Sequence, residues 1–180
     1  MILMFGPAGS GKSLQGQILA ARHGWTWISV GRLLRQRADK QIQETMQKGE
    51  LLPAAITNNI VAERLSEESD LSKVILDGFP RKLDQAEFLI NHMMEKYGQP
   101  HIETIIVLDI GRDEVLKRMA ARGRADDTDD AIVKRLDIFA TEGQEILDYF
   151  NDIGVRIDHV PANRTVGLIH DDIESIIESL

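Results

Sequence analysis

A chain of 180 residues with 43% hydrophobic side chains has room for one α/β domain with a sizeable core, and not for a second full domain. Its 29 acidic residues against 21 basic ones, a net charge of -8, exclude broad binding to nucleic acid or to an anionic membrane, since both need a surplus of cations. The absence of cysteine removes disulfides and thiolate zinc centres, and with no apolar run of membrane-spanning length and no basic-then-apolar leader at Met1, the expected setting is the cytoplasm.

Taken in chain order, the first element is a short strand at Met1 to Phe5 (MILMF), followed at once by the glycine-rich stretch GPAGSGKS. Trp25 to Ser29 is a weaker strand candidate. Lys73 to Asp77 (KVILD) and Thr104 to Asp109 (TIIVLD) are unbroken apolar runs, the pattern of strands covered on both faces in a parallel sheet. The spacing of Ile132, Leu136, Phe139, Gly143, Ile146 and Phe150 predicts a helix over Thr128 to Phe150, with Thr128 and the aspartates after it suited to its start. Val155 to Val160 is a last weak strand. Val166, Ile169, Ile173, Ile176, Ile177 and Leu180 mark an amphipathic helix closing the chain. Strands alternating with helices predict a doubly wound parallel sheet of about five strands with helices on both faces, its ligands at the carboxyl ends of the strands. No internal repeat or interdomain linker interrupts this single domain.

Gly6, Pro7, Ala8, Gly9, Ser10, Gly11, Lys12 and Ser13 fit the P-loop pattern G-x-x-x-x-G-K-[ST], after a strand and opening a helix as that pattern requires. The glycines let backbone N–H groups curl around phosphate oxygens, and the helix N-terminus adds its dipole. Lys12 supplies a point charge for the outer phosphates, and Ser13 offers a hydroxyl to a magnesium ion. Asp77 ends a buried strand before a Gly-Phe-Pro turn, where an acid can organise magnesium-bound water, or simply cap the turn. Arg81 follows at the entrance of a helix. Further on come Arg118, Arg122, Arg124 and Arg135, each of which alone reads as a solvated surface charge. Arg118 and Arg122 share a helix face at i, i+4, where they repel unless an anion or a carboxylate sits between them.

These motifs in this order resemble the adenylate kinases of the nucleoside monophosphate kinase family. After the P-loop with Gln15, SVGRLLR at Ser29 to Arg35 is similar to the family's S-T-G-D-x-L-R. Then come KGELLP at Lys48 to Pro53, DGFPR with Gln85 four residues beyond Arg81, and GRADDTDDAIVKRL at Gly123 to Leu136, which resembles the lid-hinge pattern R-x-D-D-(x)n-K-R-L. The resemblance implies a nucleoside-monophosphate arm at residues 29–57 and a very short lid at 122–130, without the zinc-bearing insert of some relatives. It implies ATP contacts from Gly6 to Leu14 and from Arg118, which would lie against the base, and Arg122. It implies AMP contacts from Val30, Gly31, Arg35, Leu51, Leu52, Gly78, Arg81, Gln85, Arg124 and Arg135. Lys12, Arg81, Arg122, Arg124 and Arg135 would then be catalytic, with magnesium held near Ser13 and Asp77 through water. Leu14, Val30 and Arg32 stand where the family carries threonine, threonine and aspartate, and Ala54 with Ala55 where acidic residues are common; the changes at 30, 32, 54 and 55 make the arm more basic and more apolar.

The expected activity is reversible phosphoryl transfer from magnesium ATP to AMP, giving two ADP, by a monomer with no nucleic-acid or membrane partner. Two other readings stay open. A UMP/CMP kinase shares the motif set but usually carries asparagine near the position of Gln85, and a nucleotide-binding regulatory protein would keep the P-loop without transfer. Gln85, with both a carbonyl acceptor and an NH₂ donor, suits the exocyclic amine and adjacent ring nitrogen of adenine. On a helix shared with Arg81 it would lie one turn along the same face.

Overall fold

Every apolar run forms a strand in the computed structural model, which describes residues 1–180. β1 (Ile2–Phe5), β2 (Thr26–Ser29), β3 (Val74–Asp77), β4 (Thr104–Asp109) and β5 (Ile157–Pro161) make one sheet in the order β2-β3-β1-β4-β5. All neighbouring pairs are parallel. Trp25 and Val155, expected inside strands, lie just outside them for one reason: their N–H groups donate back to Ala20 and Phe150, closing the preceding helices.

The helices are α1 (Lys12–His23), α2 (Val30–Gln36), α3 (Lys40–Gln47), α4 (Ala54–Ser66), α5 (Leu83–Tyr97), α6 (Arg112–Arg122), α7 (Asp129–Asp152) and α8 (Val166–Ile177). Alternate strand residues divide the core into two layers, as the unbroken apolar runs require. Leu3, Phe5, Leu76, Ile105 and Val107 pack with α4, α5 and α7. Ile2, Met4, Ile75, Ile106 and Leu108 pack on the other face with Leu19 of α1 and Ile169 and Ile173 of α8. Thr128 caps α7 by accepting the Ala131 N–H at 3.2 Å, and α8 stops at Ile177, short of the expected Leu180.

α1 lies so close to β2 that a Cβ at Gly16 would fall 2.8 Å from Cδ1 and 2.9 Å from Nε1 of Trp27. Gly16→Ala gains helix propensity but overpacks this contact, and the second effect is the larger. The expected result is a net loss of about 1 kcal/mol in chemical denaturation; an unchanged or raised midpoint would show that the indole yields freely.

Strand order places the site. β1 runs between β3 and β4, so the turn after β1 opens where crossovers leave the sheet in opposite directions, a cleft at the carboxyl ends of the strands. Between β2 and β3 the chain makes α2, α3 and α4 before returning to the sheet. No helix is long and apolar enough to cross a membrane.

Candidate active site

The turn from Gly6 to Gly11 wraps around the N-terminus of α1. Gly9 has φ +82° and sits against α6, where a Cβ would lie 2.9 Å from Met119, so both backbone conformation and space demand glycine. Thr128 and Asp39 cap α7 and α3 with their side chains, whereas the residue capping α1 is Gly11, which offers none. The first-turn N–H groups of α1 therefore point into the cleft without side-chain partners, the arrangement that binds an anion. Lys12 folds back over the turn, its Nζ donating to the carbonyls of Gly6 and Pro7, each at 2.7 Å, and lying 3.4 Å from the buried Ser10 Oγ. Burial pushes the Lys12 ammonium down to about 8, with Asp77 opposing the shift and Arg81 and Arg122 adding to it.

Asp77, the last residue of β3, is 3% exposed and accepts the Ser13 hydroxyl at 2.6 Å. This pair joins the P-loop to the neighbouring strand with two hard oxygen donors beside Lys12, a donor set suited to magnesium. Beyond Asp77 the chain turns through Gly78 and the cis Phe79–Pro80 peptide to Arg81. Arg81 is not in the helix with Gln85: Lys82 is extended and caps α5, which begins only at Leu83, while the Arg81 side chain turns back to donate from Nε to the Gly78 carbonyl at 2.9 Å. The two are joined instead by a hydrogen bond from the Arg81 backbone N–H to Gln85 Oε1 at 2.8 Å. That bond fixes which end of the amide is which. One carbonyl lone pair and the NH₂ group stay free, and Gln85, 2% exposed, is no surface glutamine. Burial also lowers the Arg81 pKa, an effect that Asp77 opposes and Arg135, Arg35 and Arg122 reinforce.

The remaining arginines do not all stand free. Arg122 ends α6 and grips Asp127 with two bonds of 2.7 Å. Arg135, one turn and a half into α7, donates to Asp127 at 2.8 Å and to Asp126 at 2.8 Å. Burial works against the Asp127 carboxylate, but the hydrogen bonds and charges of Arg122 and Arg135 hold its pKa below the ordinary value. Arg118 is turned aside, donating to Glu114 and Ala162 at 2.9 and 2.8 Å with Ser10 O at 3.5 Å. Each member of the i, i+4 pair thus has its own carboxylate, Glu114 for Arg118 and Asp127 for Arg122, and they share none. Arg124 has no ion pair; burial and the nearby Arg122 and Arg35 lower its pKa.

A cavity of about 340 Å³ gathers these groups. Along its P-loop side lie Ala8, Gly9, Gly11, Lys12, Ser13 and Leu14, with Arg118 and Arg122. Asp77, Gly78, Arg81, Arg124 and Arg135 line it too, as do Val30, Gly31, Arg35, Leu51, Leu52 and Gln85. Gly6, Pro7 and Ser10 sit behind the loop, where they hold Lys12. Asp126 and Thr57 also line the cavity and were not singled out in the sequence. Asp126 falls on the first aspartate of the R-x-D-D pattern, which the sequence marks as lid hinge without giving it a contact in the site. Thr57 is 6% exposed and its hydroxyl makes no hydrogen bond within the protein; it belongs to no motif, and nothing in its sequence neighbourhood sets it apart from other α4 residues.

A strand, a phosphate-cradling turn and a helix at the switch point of a parallel sheet, faced by convergent arginines, define a P-loop nucleotide-binding protein. The adenylate kinase family model matches residues 4–155, and the chain belongs to that family. It is 38% identical over 165 residues to the adenylate kinase of Mycolicibacterium paratuberculosis, across 88% of this chain and 90% of that protein. Adenylate kinase 1 of Nostoc sp. is 39% identical over 157 residues, 84% of each chain. The adenylate kinase of Mycobacterium tuberculosis strain H37Ra is 33% identical over 165 residues, with 88% and 90% covered.

Proposed function

We propose that the chain transfers the γ-phosphoryl group of magnesium ATP reversibly to AMP, giving two ADP. The observation that carries this reading is one cavity lined together by the P-loop lysine, by Arg35, Arg81, Arg122, Arg124 and Arg135, and by the buried Gln85 amide. A bond forms between an AMP phosphate oxygen and the γ-phosphorus while the bond to the β,γ-bridging oxygen breaks. The attacking oxygen is already anionic, so no general base is required. Positioning and cationic stabilisation supply the catalysis.

In this reading the α1 amides and Lys12 hold the donor phosphates, and Arg35 and Arg81 hold the acceptor phosphate. Ser13 and Asp77 would hold a magnesium ion, through water where reach requires, and the ion would neutralise donor charge. Arg122, Arg124 and Arg135 surround the transferred group. Asp126 and Asp127 preorganise two of these arginines, and arriving phosphate oxygens compete with the carboxylates for their N–H groups. Closure of the 122–130 turn excludes water that would otherwise hydrolyse ATP. One chain supplies every group named here, so the transfer calls on no residue of a second subunit. The direct test is ADP formation from ATP with AMP, UMP or CMP at equal subsaturating concentrations; faster reaction with either pyrimidine nucleotide would overturn the acceptor assignment.

Gln85 carries the base preference. Its free lone pair can accept from the exocyclic amine of adenine while its NH₂ donates to the ring nitrogen beside it. Gln85→Ala is expected to lose about 1–3 kcal/mol of discrimination for AMP with little change in KM for ATP. Unaltered selectivity would leave the amide with only its bond to Arg81.

The lowered Lys12 pKa gives a pH test. Polyphosphate stabilises the ammonium form, so binding raises the Lys12 pKa from about 8 and takes up protons above that pH. ATP affinity is therefore full below about 8 and falls as pH rises, approaching tenfold per unit once the free lysine is neutral. Phosphate ionisation, centred near 6, lies outside this window. Calorimetry in buffers of different ionisation enthalpy at pH 8.5 to 9 would detect the uptake; zero protons there would mean that Lys12 does not meet the phosphates.

A further inference from the structure

The segment from Met46 to Glu50 touches α7 directly beside the cavity, in a contact that the chemistry above does not use. Gly49, at φ +69°, approaches so closely that a Cβ on it would lie 2.5 Å from the Ala131 carbonyl oxygen and 2.7 Å from the Ala131 Cα. Next to this backbone contact, Lys134 Nζ donates to Glu50 Oε1 at 2.6 Å. One residue further along α7, Arg135 donates to the Met46 carbonyl at 2.9 Å while still holding Asp126 and Asp127. Arg35, on α2, lies 3.6 Å from Asp126. The hydrogen bond and charge of Lys134 lower the Glu50 pKa, as a formed pair requires.

We propose that Glu50 and Lys134 are positioning residues that tie the acceptor-side helices to α7, so that seating AMP and placing Arg135 become one closure and each nucleotide favours binding of the other. The inference rests on the AMP kinase reading above and adds to it a thermodynamic coupling between the two nucleotide sites.

An exposed ion pair in isolation contributes little. This one is not isolated, because it adjoins the close approach of Gly49 to Ala131. Moving the 46–50 segment away separates Glu50 from Lys134 and, in the same displacement, takes the Met46 carbonyl from Arg135. The segment and α7 thus have a joined and a separated arrangement. A nucleotide bound on either side biases that equilibrium, and the bias is reciprocal.

The experiment is calorimetric titration of AMP with and without a non-hydrolysable ATP analogue, on the wild type, Glu50→Gln, Lys134→Met and the charge-exchanged Glu50→Lys/Lys134→Glu variant. In the wild type the analogue tightens AMP binding. Each single substitution should reduce that factor about threefold, and charge exchange should restore much of it. Gly49→Ala, which forces the backbones apart, should reduce the factor further still. Thermal midpoints of the two charge variants should stay within a few degrees of wild type, which separates positioning from a merely structural role. A coupling factor of one in the wild type, or an undiminished factor in both single variants, would overturn the proposal. A wild-type protein that binds the analogue but not AMP overturns the functional reading itself, and the coupling with it.

Discussion

Lys12→Ala is expected to give a folded protein without detectable phosphoryl transfer. The loop does not depend on this side chain for its shape: Gly9 sets the backbone turn, and the Ser13 to Asp77 hydrogen bond ties α1 to β3. Burying the ammonium is itself unfavourable, which is why its pKa falls to about 8. Removing it frees the Gly6 and Pro7 carbonyls for water in the open cleft, so stability should change by no more than about 1 kcal/mol. Transfer, by contrast, loses the ammonium of the P-loop itself, the cation placed to meet charge on the leaving oxygen. A coupled assay for ADP and a thermal midpoint on the same preparation decide the matter. Wild-type turnover in the folded variant would remove the P-loop lysine from the mechanism.

The strands and the P-loop were readable in the sequence because their causes are local. Unbroken apolar runs signal strands covered on both faces, and the glycine pattern signals a turn that no other residues can make. Strand edges at Trp25 and Val155 were misplaced because a hydrogen bond back to the preceding helix outcompetes β pairing, a choice that propensity does not register. Site residues on recognisable motifs can be named from the sequence, but their partners cannot. That Arg122 and Arg135 share Asp127 depends on how α6 and α7 meet across a six-residue turn, and such a meeting is a property of packing rather than of spacing. The link between Arg81 and Gln85 failed in the same way. Four residues apart suggests one helix turn, yet Lys82 takes an extended conformation and the helix starts only at Leu83. Thr57 carries no signal until the fold buries it beside the cavity.

Arg124→Ala and Arg135→Ala are both expected to lower kcat by roughly 10³-fold while moving KM much less, by analogy with arginine fingers. Both guanidiniums line the cavity beside the place where the γ-phosphoryl group would pass, and charge on its equatorial oxygens is greatest in the transition state. They should differ in stability, however. Arg124 makes no ion pair, so its loss leaves no group stranded and the thermal midpoint should hold. Arg135 holds Asp126, Asp127 and the Met46 carbonyl, and the Asp127 side chain is only 1% exposed. Truncating Arg135 leaves that carboxylate to Arg122 alone, at a cost of about 1–3 kcal/mol. Arg135→Lys keeps the charge but cannot span both aspartates and the carbonyl, so it should recover more stability than turnover. Steady-state kinetics and denaturation on the four proteins, wild type included, separate the two roles. A defect confined to KM would show that these arginines bind ground-state nucleotide only, and an equal loss of stability in Arg124→Ala would show that its guanidinium has a structural partner.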